Sequence, residues 1–583
     1  MKKVLLASAV IAAGAAGYIY YDQTEQQASG SLISNIPADS PFVTLQTEAY
    51  DQYEYLNAYG YSQTDLMALM ETGQDLTPMQ TFLVSFLDGY LKSATSAESI
   101  KQYLGTPEKV SPVFYTLGMV PVYKVQLEDP AAFWKTVDAK EQESGVTHTL
   151  KKLDNIEYRS YELATKDLDG LDANLIVAVN DNVLTLTIEL PILDAESPLK
   201  LALGLEAPKA SLADSGKIEA LQSKYGDNYN AFMYIDNAEI IKGVTTTDGN
   251  RLARQVGVID QKEPEPALSV LRSPICQSEL ATIASNWPRE VLVVDYNTAN
   301  DELQMKGSFV LESGNKVILD ALKSIQGFVP AANAKGESMF SAALGVDVTT
   351  LAPAVATIWK DLKQPQYSCA LLNEMQQNMG ADNPAAMLSM AAGMLNGLKG
   401  ISVEMFDVMP ADKPEYGQQF DRLDGMLSFS ATNPNMLLQS LTMFVPQLAQ
   451  LSIQPDGKPV DVTPLIEPQT GIGAKFYAQL NGNHFALYTG DKGKSAADKL
   501  MAEPLSSNGI MKFSMDFNRL LEVMEKAAEL QGEELTPEMV ETLASQPSGT
   551  ISLDVKDHGI MMNFDYVANM KARKLAKEQQ AAK

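Results

Sequence analysis

Short stretches of alternating apolar and polar residues recur along this chain, and most run into Asp or Asn followed by a helical pattern. They are Phe42-Val43-Thr44-Leu45, Val122–Leu127 before Asp129, Phe232–Ile235 before Asp236, Phe340–Val346 before Asp347, Met426–Phe429 before Asn433 and Met511–Met515 before Asp516. A two-residue period places one strand face in the core, and an Asx side chain caps the orphan amides of the helix that follows. The stretch at Phe42 is followed by Thr47 and Glu48, a weaker helix start.

Between these units lie hairpin patterns. Glu157–Leu163 and Leu175–Leu190 alternate as half-buried strands do, with Asn180-Asp181-Asn182 at a turn. Phe476–Leu480 and Phe485–Tyr488 flank Asn481-Gly482-Asn483, and Gly549–Val555 and Gly559–Tyr566 flank Lys556-Asp557-His558. Helical periodicity covers Thr64–Met70, Pro78–Lys92, Ala131–Glu143, Ser278–Asn286 and Phe517–Leu530. Strands and helices are mixed and hairpins dominate over βαβ crossovers, so the predicted class is α+β with mostly antiparallel sheets.

Two stretches read as copies of a larger unit. One runs from Phe232 through Cys276 and the strands Val291–Tyr296 and Leu303–Leu311 to the helix after Asn315. The other runs from Phe340 through Cys369 and the strands Ile401–Phe406 and Met426–Phe429 to the helix after Asn433. Element order is preserved while offsets vary, a pattern that predicts internal duplication.

The first 21 residues set the compartment. Lys2 and Lys3 precede an uncharged run from Val4 to Tyr21, ended by Asp22. Ala13-Gly14-Ala15 fits the exit of a cleaved signal peptide. The full run, with tyrosines at its outer end, fits an uncleaved membrane anchor with its lysines on the cytoplasmic side. Both readings place the bulk of the chain in the periplasm; the anchor would tether it to the inner membrane. No cysteine lies near the leader, which excludes lipoprotein attachment. The remaining divisions are a linker at 22–35, a first α+β region at 36–325, a linker at 326–338, a second region at 339–570 with a sub-boundary at 454–471, and a basic tail at 571–583.

Charge narrows the partners. The 583 residues carry a formal charge of −28, which repels phosphate backbones and disfavours nucleic acid. Cys276 and Cys369 are the only cysteines, and an even count in a secreted chain predicts one disulfide.

No signature of catalysis, cofactor or metal binding is found. His148, His484 and His558 lie far apart, read as exposed turn or strand residues, and form no HExxH. There is no G-x-S-x-G elbow, no P-loop and no G-x-G-x-x-G. Asp167-Leu168-Asp169-Gly170-Leu171-Asp172 has its glycine in the wrong place for a calcium loop and reads as a polar turn. Met375, Met379, Met387, Met390 and Met394 form a methionine-rich stretch. It reads as a helix face packed in the core, or as an adaptable contact surface for lipid or another hydrophobic ligand.

Ile36-Pro37-Ala38-Asp39-Ser40-Pro41-Phe42-Val43 resembles the opening of several uncharacterised bacterial envelope proteins, and Ser273-Pro274-Ile275-Cys276 with Trp287-Pro288-Arg289 resembles a segment in them. The resemblance implies an envelope location and carries over no site. The expectation is a non-enzymatic periplasmic protein acting through contacts with envelope proteins as scaffold, chaperone or assembly factor, or else a carrier or sensor of a hydrophobic ligand.

Overall fold

The computed structural model describes residues 32–58, 76–163, 172–226, 229–299, 302–331, 338–380, 383–415, 418–441, 453–536, 539–540, 543–544 and 546–569. The leader, the helical pattern at Thr64–Met70, the polar turn at 167–171 and the basic tail lie outside these residues. Among the described residues no helix is long and apolar enough to cross a membrane. The chain divides between Phe309 and Val310 into two compact units, and the short segment Ser368–Asn373 is counted with the first. The stretch 326–338 falls within the second.

Unit 1 is built on β1 (Phe42–Gln46), β2 (Tyr50–Asp51), β3 (Lys109–Val110), β4 (Val113–Leu117), β5 (Val120–Gln126), β6 (Thr149–Leu153), β7 (Ile156–Leu163), β8 (Ala173–Asn180), β9 (Val183–Glu189), β10 (Ala231–Asp236) and β11 (Arg289–Ala299). β12 (Glu302–Glu312) runs across the division. β2 and β3 pair separately as a small ribbon. The main sheet is antiparallel in the order β6-β7-β8-β9-β5-β4-β1-β10-β11.

Both faces of the central strands are covered. Val43, Leu45, Val113, Tyr115, Phe232, Tyr234, Val291 and Val293 are buried on one side, and Thr44, Gln46, Phe114 and Val294 on the other. Gly118 turns β4 into β5 at a positive φ of 64°. Its missing side chain leaves room for Gln255, whose carboxamide takes the Met119 amide at 2.8 Å and donates to Leu117 O at 2.9 Å.

Unit 2 contains β13 (Phe340–Leu344), β14 (Leu398–Glu415), β15 (Gln418–Ala431), β16 (Val460–Asp461), β17 (Phe476–Leu480), β18 (His484–Thr489), β19 (Met511–Met515), β20 (Ser548–Lys556) and β21 (Gly559–Asn569). Its antiparallel order is β16-β17-β18-β15-β14-β13-β19-β20-β21. From β8 to β11 in unit 1, and from β17 to β20 in unit 2, the two orders match strand for strand. The class is therefore α+β with large antiparallel sheets.

The Asx caps form as the sequence predicts. Asp129 accepts from Ala131 N and Ala132 N, Asp236 from Glu239 N, Asp347 from Thr349 N, Asn433 from Met436 N, and Asp516 from Asn518 N and Arg519 N. After β1 the cap comes later. Asp51 accepts from Glu54 N at the head of the helix Gln52–Ala58.

Candidate functional site: an apolar sheet face left open

The two cysteines are bonded to each other and buried. The helix Pro274–Asn286 presents Cys276, and one turn further along Glu279 accepts from Ser368 N and Cys369 N, both at 2.9 Å. The bridge thus fastens Ser368–Asn373 within unit 1.

Unlike the exposed residue the sequence suggests, His484 is fully buried. Its Nε2 lies 2.9 Å from Glu503 O, a group that can only accept, so Nδ1 accepts from the Ser430 hydroxyl at 2.8 Å. Burial pushes its pKa down. Ser430 and His484 have the spacing of a nucleophile and its base, but both are buried and a carbonyl stands where a triad carboxylate would be. They satisfy each other inside unit 2. His148 is half-buried, with Nδ1 2.7 Å from Glu141, which also accepts from Arg159 and Tyr161. Among the described residues no group of His, Cys, Asp or Glu could hold a metal ion.

Of the methionine-rich stretch, Met375, Met387 and Met390 are not packed in the core. Met375 lies on the helix Ala370–Asn378, and Met387, Met390 and Met394 on the helix Ala385–Met394. Met375, Met387 and Met390 are 59, 81 and 80% exposed, while Met379 is half-buried.

The sheet of unit 2 has one polar and one apolar face. The polar face carries Ser341, Ser402, Glu404, Ser428, Ser430, His484 and Ser514, all buried. Ser402 donates to Glu404 at 3.1 Å and lies 2.7 Å from Ser428, and Ser341 lies 2.6 Å from Ser514. Burial drives the Glu404 carboxyl up to about 7, against the Ser402 bond and with help from Glu503. Over part of this face the helix Gly490–Ala502 packs Ala496, Ala497 and Leu500 on Phe406, Met426, Ala486 and Tyr488. Phe328 also packs there and is held by its amide on Lys399 O at 2.8 Å.

Across β17, β18, β15, β14, β13, β19, β20 and β21 the opposite face is three rows deep. The middle row reads Ala478, Leu487, Leu427, Val403, Ala342, Phe513, Ile551 and Phe564. One flanking row reads Leu480, Phe485, Phe429, Ile401, Leu344, Met511, Leu553 and Met562. The other reads Phe476, Thr489, Gly425, Met405, Phe340, Met515, Gly549 and Tyr566. None of these positions is charged.

At the β17 edge this face is closed by Leu438, Ile453, Val462 and Ile466. Beyond β18 it opens: Leu427 is 52% exposed, Ile401 47%, Leu344 45%, Met562 43%, Val403 39% and Met511 38%. A contiguous apolar area of this kind normally marks an interaction surface.

Sequence reasoning assigned one face of each strand to the core. In unit 2 the polar set is the covered one, and the apolar set stands toward solvent. The available signal was the serine and glutamate content of the alternate positions. Neither the family models scanned, nor the curated proteins, nor the solved structures searched contain a match to this chain.

Proposed function

We propose that this is a non-enzymatic protein of the bacterial cell envelope that acts by contact with another protein, seated on the open apolar face of unit 2. The observation that carries the reading is the uncharged, half-exposed face from Leu427 to Met562. Its middle row and the row from Leu480 to Met562 carry no titratable or nucleophilic side chain, which favours contact over chemistry. A net charge of −28 favours a partner with basic groups beside its apolar ones. Exposed Met387 and Met390 favour a second reading, a carrier or sensor of a lipid or other hydrophobic ligand.

The periplasmic location is supported by the run from Val4 to Tyr21 and by the buried Cys276–Cys369 bond, which suits an oxidising compartment. Tethered or cleaved, the leader delivers the body outside the cytoplasm. The matched strand orders of the two units support a duplication of the whole sheet unit. In that scheme β1 and β10 correspond to β13 and β19, so the two segments compared in the sequence, β10–β12 and β13–β15, are not equivalent to each other.

A photoreactive residue at Leu427, with one at exposed Leu150 of unit 1 as control, tests the contact in cells. Protein adducts at Leu427 alone support the proposal, lipid adducts support the carrier, and no adduct at either ends both. N-terminal sequencing of membrane-derived protein decides between anchor and signal; a start near Ala16 removes the anchor.

A further inference from the structure

The geometry points to an amphipathic α-helix of about 16–20 residues as the occupant of the open face, laid across the strands from β15 to β21 with basic residues outward. This rests on the contact reading above and names the partner's chemistry.

Backbone satisfaction comes first. The strands β15, β14, β13, β19 and β20 are each paired on both sides, so their main-chain groups are committed to the ladder. The rows above them hold apolar side chains, with Thr489 already donating to Leu423 O. An extended peptide lying there would bury its own N–H and C=O groups without partners, which is unfavourable for every such group. A helix satisfies its main chain internally and meets the face with side chains alone.

Dimensions agree. Six strands about 4.8 Å apart span about 24 Å, the length of a helix of about 16 residues. Two rows about 7 Å apart make a track that a helix about 10 Å across covers.

Unit 1 supplies an internal precedent. On its sheet the side bearing Thr44 and Phe114 also carries Tyr161, reached through the register from β1 to β7. The 16-residue helix Pro78–Ser93 packs there, with Phe82 stacked on Tyr161 at 5.4 Å and Phe82, Tyr90 and Leu91 buried. The helix Pro130–Ser144 lies on that side too, through Glu141 on Arg159 and Tyr161. In unit 2 the helix after the matched strand, Pro434–Leu441, puts Leu438 on the apolar face. The two sides therefore correspond. Unit 1 carries its helix cover at β7 and unit 2 at β17 and β18; from β15 to β21 the described residues of unit 2 leave this side open. Charge selects the rest, since a chain at −28 attracts a basic helix and repels a second copy of itself.

The probe is a fluorescent 18-residue Leu/Lys peptide with helical periodicity, titrated by anisotropy into the full-length, oxidised protein. Comparators are a scrambled sequence, a strictly alternating Leu-Lys sequence, the helical Leu/Glu analogue, and vesicles of phosphatidylethanolamine with phosphatidylglycerol. The helical Leu/Lys peptide should bind best. Leu427→Asp and Ile401→Asp should each weaken it about tenfold or more, although an added carboxylate strengthens attraction to lysine. Leu150→Asp should leave it unchanged. Circular dichroism should show helix induced on binding.

Equal binding of the alternating or scrambled peptide, or unchanged binding by both Asp variants, would overturn the helix. So would saturable vesicle binding lost in those variants, or a dimer in sedimentation that Leu427→Asp dissociates. If the peptides fail while Leu427 still gives protein adducts in cells, the helix falls and the contact reading stands. If only lipid adducts form, both fall.

Discussion

Leu344 of β13 and Ile401 of β14 face each other across a ladder, and both stand nearly half exposed. In unit 1 the ladder between β1 and β4 sets Thr44 against Phe114 on the corresponding side and Leu45 against Val113 on the other, all four buried. The same antiparallel arrangement thus makes a core in one unit and a surface in the other. Leu45→Ala should cost about 2–5 kcal/mol, because it removes buried volume from a packed site. Leu344→Ser should stay within about 0.5 kcal/mol in the isolated protein, as substitutions at solvent-facing sites do. Urea titration of the two variants checks this. A large loss for Leu344→Ser would mean that the face is covered in solution.

The disulfide closes a span of 93 residues. Chain entropy alone then stabilises the oxidised protein by about 4–5 kcal/mol. Replacing Cys276 and Cys369 with Ser should lower the melting temperature, and added reductant should leave that variant unmoved while destabilising the native protein. Recovery of both cysteines as free thiols from periplasmic material would remove the bond from the functional state.

Much of the architecture was legible because it is written locally. Asp129, Asp236, Asp347, Asn433 and Asp516 cap the helices that follow their strands, and a cap involves only a few neighbouring residues. The turn at Asn481-Gly482-Asn483 is local in the same way. The open face was not legible. Alternation in Met426–Phe429 or Met511–Met515 separates two faces, but which face is covered depends on helices and segments far away in sequence. Glu404 and the serines beside it read as solvent positions, yet the helix Gly490–Ala502 and Phe328 help bury that side. His484 was misplaced for the same reason. Its turn context suggested exposure, while Glu503, distant in sequence, supplies the acceptor that lets it be buried neutral.

Lys124 on β5 is buried, and desolvation lowers its pKa from 10.5 to about 8. At pH 7 both folded and unfolded chains hold the proton, so the folded protein bears the full cost of burying the charge. Between about pH 8 and 10.5 only the unfolded chain keeps it, and that cost fades as pH rises. Lys124→Met should therefore be more stable than the native protein at pH 7, by on the order of 3 kcal/mol. The advantage should shrink toward pH 10. Paired urea titrations at the two pH values test it; a variant less stable at pH 7 would show that the ammonium has a favourable role.

Glu404 provides the opposite titration on the polar face of unit 2. Its carboxyl rises from 4.5 to about 7, so below about pH 4.5 it is neutral in both states and costs nothing. From about pH 4.5 to 7 the unfolded chain loses its proton first, and folding stability falls as pH rises. Above about 7 the whole penalty applies, on the order of 3 kcal/mol. His484 works against this trend. Its pKa lies below 6.5 in the folded protein, so stability is lost as pH falls and the unfolded chain takes up a proton. Glu404→Gln keeps an acceptor for Ser402 but removes the ionisation. The variant should match the native protein near pH 4.5 and exceed it at pH 8, while retaining the loss on acidification that His484 imposes. A gap between the two proteins that stays constant from pH 4.5 to 8 would show that Glu404 does not titrate in this range.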